Sequence, residues 1–258
     1  MPAEPLLLVR NLSKGYARRR WWGGSGPFKV ALRDVSFALA RGCTLGLVGP
    51  SGSGKSTLAR CLGRFEEPSS GEILFDGRLL AHADRHRIQL IFQQPAASLN
   101  PRFTAAEIVE EPLLIQGRRQ PNRLPLAMEL VGLPRTALSR RAHQFSGGER
   151  QRLAIARALV LEPALLILDE SFAGLDPELQ DQIAALLREL QQRLRLSYLL
   201  ISHDLSLVAD LADEIAVMEG GAIVERGATR ELLANANHPL TRKLIEAARA
   251  LSLDGSAA

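Results

Sequence analysis

The stretch "GPSGSGKST", Gly49 to Thr57, limits what this chain can fold into more than any other. It fits the spacing G-x-x-x-x-G-K-[ST] at Gly49, Gly54, Lys55 and Ser56, with Pro50, Ser51, Gly52 and Ser53 between them. The apolar run "TLGLV" leads into it and the helix-like "KSTLARCLG" leads out. A buried strand that ends in a glycine-rich turn and continues as a helix gathers backbone N–H groups around an anion, because glycine lets them approach phosphate oxygens. Lys55 supplies a cation for the β- and γ-phosphates, and the Ser56 hydroxyl, followed by Thr57, can ligate Mg²⁺. Nucleotide binding is the first expectation.

The remaining chain has the rhythm of a sheet that could carry such a turn. Short apolar runs alternate with helix-like stretches, the pattern of a mostly parallel sheet covered by helices. Four of the runs end in polar groups: "TLGLVG" at Pro50 and Ser51, "IQLIF" at Gln93, "ALLIL" at Asp169, and "SYLLI" at Ser202 and His203. Ligands bind at the carboxyl ends of parallel strands, so these ends are expected at one site. Asp169 offers a carboxylate to hydrated magnesium, and Glu170 one that orients or deprotonates an attacking water. His203, at the fourth strand end, is expected to contact the γ-phosphate.

From Gln93 to Phe145 the pattern turns helical, in "TAAEIVEEPLLI" and "NRLPLAMELVGL", with prolines and glycines as punctuation. This reads as a helical insert, about residues 94–158, within a first domain of residues 1–228. "EIAVMEGGAIVERG" is strand-like around a Gly-Gly turn, and residues 229–258 read as a short helical tail. "ARRRWWGGSGPF", Ala17 to Phe28, reads as an exposed basic hairpin loop with two tryptophans, a membrane or partner contact being the other reading.

Composition narrows the partners. The 258 residues are 46% hydrophobic and 23% charged, an ordinary globular balance, and the net charge of +4 is spread along the chain rather than gathered in a block. Cys43 and Cys61 have no metal-like spacing and lie in or beside apolar runs, so both are expected to be buried thiols in a reducing compartment. No window reaches the roughly 18 apolar residues of a membrane helix, and the start lacks a basic segment followed by a long apolar one. The expected location is cytosolic.

A second glycine turn lies nearly a hundred residues on, in "QFSGGERQRLAIARAL", Gln144 to Leu159, where Ser146, Gly147 and Gly148 precede a helix-like run. Taken with the motifs above, it makes the chain resemble the ATP-binding subunits of ATP-binding-cassette (ABC) transporters over nearly its whole length. Tyr16 in "LSKGY" resembles the aromatic that stacks on adenine, "GPSGSGKST" the Walker A loop and Gln93 the Q-loop. "FSGGERQR" resembles the family signature, "LLILDE" the Walker B strand, "AGLD" with Asp176 the D-loop, and "SHD" the switch histidine.

The resemblance implies a P-loop NTPase fold (α/β, RecA-like): a mixed sheet core, an inserted all-helical signature sub-domain and an antiparallel β sub-domain. It implies ATP and Mg²⁺ as ligands, with Ser56, Gln93 and Asp169 on the metal and Glu170, Gln93 and His203 acting in hydrolysis. Two nucleotide-binding chains, identical or related, are implied to pair head to tail. The signature of one, Ser146 to Gly148, closes over the other's nucleotide, and Asp176 links the sites. This explains the second turn: a serine hydroxyl and two amides at a helix N-terminus are anion donors for a phosphate that a neighbour presents. The further implied partners are two multi-pass membrane permeases and, indirectly, an extracytoplasmic solute-binding protein, with the chain on the cytoplasmic face of the cell membrane and no nucleic acid bound.

Two departures from the family pattern stand out: Glu149 stands where glutamine is commonest, and Ser171-Phe172 follow Glu170 where many relatives carry proline or alanine. "SLNPR", Ser98 to Arg102, and "NHPLTRKLIEAA" resemble the peptide, opine and nickel uptake branch. The cysteine-rich end that many members use for an iron-sulfur cluster is not expected. Competing readings are an accessory ATPase of a soluble complex such as phosphonate breakdown, and an exporter ATPase. A DNA-repair or chromosome role would need a coiled-coil insertion or zinc modules, and the segment from Gln94 to Phe145 holds neither. The "RRA" stretch, Arg140 to Ala142, could equally be a solvated face.

Overall fold

The computed structural model describes residues 4–16, 19–20, 24–25, 29–92 and 95–254. The chain forms two compact units, one of Met1–His82 with Ser197–Ala258 and the other of Ala83–Leu196. Most of the tryptophan-bearing loop, including Trp21 and Trp22, lies outside the described residues, as does Gln93.

In chain order the first unit begins with β1 (Leu7–Tyr16), β2 (Arg19–Arg20), β3 (Gly24–Ser25), β4 (Lys29–Leu39), β5 (Thr44–Val48), α1 (Lys55–Leu62), β6 (Ser70–Phe75) and β7 (Arg78–Leu79). The second unit holds β8 (Ile88–Ile91), α2 (Ala105–Ile115), α3 (Arg123–Leu130), α4 (Gly147–Leu159), β9 (Leu165–Asp169) and α5 (Pro177–Leu194). The first unit resumes with β10 (Ser197–Ile201), α6 (Leu205–Leu211), β11 (Glu214–Glu219), β12 (Ala222–Ala228), α7 (Thr229–Ala234) and α8 (Pro239–Asp254).

Residue alternation explains the antiparallel sheet, whose order is β4-β1-β6-β7. In β1, Leu7 and Val9 are buried two apart, and then Leu12 three further on. The register shifts between Val9 and Leu12, where Asn11 has φ +46. One extra residue on a strand moves its buried set by one position, so the bulge returns Leu12 to the core face.

The second sheet of this unit is different in kind. The parallel strands β5 and β10 are buried along all five residues each, as strands covered on both faces must be. β11 is also parallel to β5, and β12 returns antiparallel through Gly220 and Gly221, both at positive φ as a two-residue primed turn requires. Each fully buried leucine or isoleucine here, such as Leu47, Leu199 or Ile201, contributes at most about 2 kcal/mol by removal of apolar area from water.

In the second unit β8 and β9 pair in parallel, Ile91 opposite Leu168. The helical insert begins with Thr104, whose hydroxyl accepts from the Glu107 amide while the Glu107 carboxylate accepts from the Thr104 amide, a complete capping box. The prolines punctuate less than expected: Pro112 lies inside α2, and Pro125 lies in the first turn of α3, where an amide has no helical acceptor to lose. Of the two thiols, Cys61 is buried, and burial pushes its pKa up to about 11, which keeps it unreactive at neutral pH. Cys43 is only partly buried, a correction to the expectation for it. No helix among the described residues is long and apolar enough to cross a membrane.

Candidate nucleotide site

The phosphate loop is shaped by close approach. A Cβ at Gly49 would lie 2.1 Å from the carbonyl oxygen of Met218, and one at Gly54, where φ is +107, 2.4 Å from that of Ala31. Only glycine fits either place without moving backbone. Lys55 is 5% exposed, and its Nζ donates to the carbonyls of Gly49 at 2.7 Å and Pro50 at 3.0 Å, so the ammonium spans the curve of the loop. A buried ammonium is tolerated because these dipoles partner it, and it is placed to meet negative charge.

Two features of the loop fit a phosphate. The Ser53 hydroxyl is buried without a hydrogen-bond partner, and α1 has Gly54 at its N-cap, with no side-chain cap on its first turn. First-turn N–H groups have no helical acceptor of their own and bind whichever anion is brought to them. His203 belongs to the same unit. Ile201 pairs with Leu47 across β10 and β5, and the Ser202 amide donates to the Leu47 carbonyl at 3.3 Å, so the end of β10 lies beside the end of the strand that leads into the phosphate loop. His203 is exposed and begins the turn into α6, which Asp204 caps by accepting from the amides of Ser206 and Leu207 at 2.9 and 3.2 Å.

Tyr16, the expected base platform, ends β1 with a half-open ring. Its hydroxyl donates to the Glu66 carboxylate, and Lys14 Nζ stands 5.3 Å from the ring centroid. Partial burial first, and then Glu66, hold the phenol above its ordinary pKa. Lys14 is itself fixed by the Glu67 carbonyl at 2.5 Å. Sequence reading did not anticipate Glu66 or Lys14 as supports: Glu66 is fifty residues from Tyr16, and Lys14, two residues before it in β1, is held in place by Glu67, fifty-three residues from Lys14.

The signature turn lies in the second unit and is a helix N-terminus. Ser146 caps α4, its hydroxyl accepting from the Glu149 amide at 3.2 Å, and the Glu149 carboxylate accepts from the Ser146 amide at 2.8 Å. Glu149 thus completes a capping box, a role glutamine could also fill. Its negative charge is met by Arg140, which donates to the two carboxylate oxygens at 3.2 and 3.4 Å, to the Gln144 carbonyl at 2.5 Å, and lies 4.2 Å over the Phe145 ring. The Ser146 backbone bond first, and Arg140 next, hold the Glu149 carboxyl below its usual range. Arg140 therefore anchors the turn, which resolves the ambiguity over "RRA". A Cβ at Gly147 would meet nothing within 4 Å, so this edge of the turn is open.

Asp169 is buried at the end of β9, and Glu170 follows at φ +48, the left-handed region that costs a non-glycine residue of order 1 kcal/mol. The turn is tied by the Ala173 amide to the Glu170 carbonyl at 3.1 Å. Ser171 and Phe172, the unusual pair, are each 3% exposed, so the turn is packed. Gln151, missed by the sequence reading, is also 3% exposed and donates from Nε2 to the Ser171 carbonyl at 2.9 Å. A signal was there to find it: Gln151, Ala154, Ile155 and Ala158 share one buried face of α4, and a glutamine on such a face needs a partner. Asp176 caps α5, accepting from the Leu179 amide at 2.9 Å. Among the described residues no cluster of three His, Cys, Asp or Glu side chains could hold a metal ion.

The family model described as ABC transporter matches residues 32–173. A Brucella ovis protein named as a peptide import ATP-binding protein is 46% identical, the match covering 96% of this chain and 80% of that one. The dipeptide transport ATP-binding protein DppF of Escherichia coli is 43% identical, covering 97% and 78%. The putrescine export system ATP-binding protein SapF of the same organism is 39% identical, covering 94% and 93%. Among solved structures, cbiO1 from Clostridium perfringens, part of the ABC transporter complex cbiONQ, superimposes with a TM-score of 0.75 at 28% identity, over 90% of this chain and 92% of that one. The ATP-binding cassette MJ0796, solved as a dimer in a post-hydrolysis state bound to ADP and Pi, gives a TM-score of 0.72 at 27% identity, over 87% and 99%. A lysine-bridged phosphate loop, a capped signature turn and this breadth of likeness lead to one conclusion: the chain belongs to the ABC transporter family, as one of its ATP-hydrolysing cassettes.

Proposed function

We propose that this chain energises an ABC importer for peptides or a similar small solute such as nickel, as a peripheral subunit on the cytoplasmic face of the cell membrane. One observation carries the importer reading: the likeness to proteins named for peptide and dipeptide transport runs through 96–97% of the chain at 43–46% identity, both units included. In this reading the chain pairs with a second nucleotide-binding subunit and docks on two multi-pass permeases, and any solute-binding protein acts through those permeases.

The proposed chemistry assigns each residue a task. Tyr16 stacks on adenine, Lys55 and the loop amides hold the β- and γ-phosphates, and His203 donates to the γ-phosphate. Glu170 accepts the proton of the attacking water, and the hydroxyl of Ser146 with the amides of Gly147 and Gly148 donate to the phosphate presented by the partner chain. Asp176, on the step before α5, joins the two sites. Ser56, Asp169 and Gln93 form an all-oxygen donor set of the kind that suits Mg²⁺, which neutralises charge on the phosphates when bound. ATP favours the closed pair because it touches both chains only in that state, and its loss on hydrolysis reopens it.

Co-purification from membranes tests the reading. Two multi-pass membrane proteins should accompany the tagged chain, and vesicles holding the complex should move solute toward the side that holds the chain and ATP. Recovery with soluble enzymes alone would overturn it in favour of an accessory ATPase. The likeness to SapF supports a second reading, export, which the same vesicles distinguish by the direction of flux.

A further inference from the structure

The buried amide of Gln151 joins two parts of the second unit to which the proposed function gives separate tasks. Gln151 lies on α4, five residues after the Ser146 cap, in the same continuously hydrogen-bonded helix. Its Nε2 donates at 2.9 Å to the carbonyl of Ser171, in a bond sealed from solvent. Ser171 follows Glu170, whose φ of +48 is not a conformation a glutamate holds without restraint. The side chain of Ser171 does not supply that restraint, since its hydroxyl is buried without a partner. On the far side of the turn, Gln180 Nε2 approaches the carbonyls of Phe172 at 3.4 Å and Leu175 at 3.3 Å, longer contacts than that made by Gln151.

We propose that Gln151 is a positioning residue, which fixes the backbone that carries Glu170 to the signature helix. When the partner's phosphate engages Ser146 to Gly148, α4 carries the Glu170 turn with it, and the base for one nucleotide is set by occupancy of the other. The inference rests on the reading of Glu170 as the base and of the signature turn as the partner-phosphate donor.

The variant Gln151→Met keeps length and burial but donates no hydrogen bond. In the full chain it should lower kcat for ATP by about 10- to 100-fold, with the KM for ATP and the affinity for a fluorescent ATP analogue changed less than about twofold. ATP-driven association, read by light scattering, should persist and outlast that of the unaltered chain, because closure survives while hydrolysis stalls. A role confined to packing α4 would instead weaken association together with kcat. Gln151→Met at wild-type kcat, or association lost in proportion to kcat, overturns the proposal. If Gln151→Met does not fold, Gln151→Leu, a smaller apolar side chain that cannot donate, is held to the same split. Glu170→Gln is run beside them. Normal turnover in Glu170→Gln removes the reading of the base, whereas a dead Glu170→Gln beside an unaffected Gln151 variant removes only the present proposal.

Discussion

The two glycine-rich turns of this chain both sit at helix N-termini, yet they supply very different fractions of an anion's surroundings. In the loop before α1, Gly49, Gly52 and Gly54 all have positive φ, which curls the backbone, and a nearly buried lysine bridges the curl. The turn before α4 has no such curl: Gly147 and Gly148 are the first residues of the helix itself. Where the first turn has a cation, the second has a carboxylate, Glu149, offset by Arg140. A concave loop with its own cation can hold a phosphate alone. A flat helix end with its charge balanced can only add donors to a phosphate already held, as the proposed sharing of a site between two chains requires.

The comparison breaks most readily at Lys55. Lys55→Ala should reduce ATPase activity and fluorescent-nucleotide affinity by about 100-fold or more, since a preorganised charge on the phosphates is removed from a water-poor place. Nucleotide affinity within a few-fold of the unaltered chain would mean that the loop amides suffice and that the lysine does not set the two turns apart.

Gly147 sharpens the contrast from the other side. Its Cβ would meet no atom of the same chain within 4 Å, so Gly147→Ala should leave thermal stability within about 0.5 kcal/mol. In the proposed reading the added methyl would nevertheless stand where a partner's phosphate comes, and ATP-driven association should fall about 10- to 100-fold with nucleotide affinity of the single chain unchanged. Gly148→Ala serves as the control, because its Cβ would lie 2.9 Å from Leu179 Cδ1, so this methyl, unlike that at Gly147, must displace a side chain of the same chain. Equal association in Gly147→Ala and the unaltered chain would place the phosphate elsewhere.

Much of this contrast was legible in the sequence, and the reason is locality. The phosphate loop announces itself in nine consecutive residues because each glycine answers a constraint within the same turn. The strand ends at Asp169 and His203 were readable because fully buried parallel strands appear as unbroken apolar runs. The supports were not readable in the same way. Glu66 reaches Tyr16 across fifty residues and Gln151 reaches Ser171 across twenty, and such pairings exist only after folding has chosen which surfaces meet. Arg140 was ambiguous because nine residues from Glu149 is no helical or strand period; a turn between them brings the pair together.

That pair gives the smallest of the expected effects. Arg140 and Glu149 are each about one-third exposed, so screening limits what their attraction contributes to stability. Its effect on association is larger in principle, because removal of the arginine leaves a carboxylate uncompensated at the edge of a site for a polyanion. Arg140→Ala should therefore weaken ATP-driven association by about 1 kcal/mol, roughly fivefold, and added salt should shrink the deficit. Glu149→Gln in the same chain should restore association, since the amide keeps a cap on the Ser146 N–H and removes the charge; loss of the Arg140 bond to the Gln144 carbonyl alone would not be repaired that way. The sign of the pH dependence follows from the lowered Glu149 pKa. Its cap is fully present above the ordinary carboxylate value and is lost only as pH falls through the lower folded value, so across neutral pH the rescue should be constant. A double variant no better than Arg140→Ala would show that the arginine acts by holding the turn's backbone, and the balance of charge that distinguishes the two turns would lose its role in association.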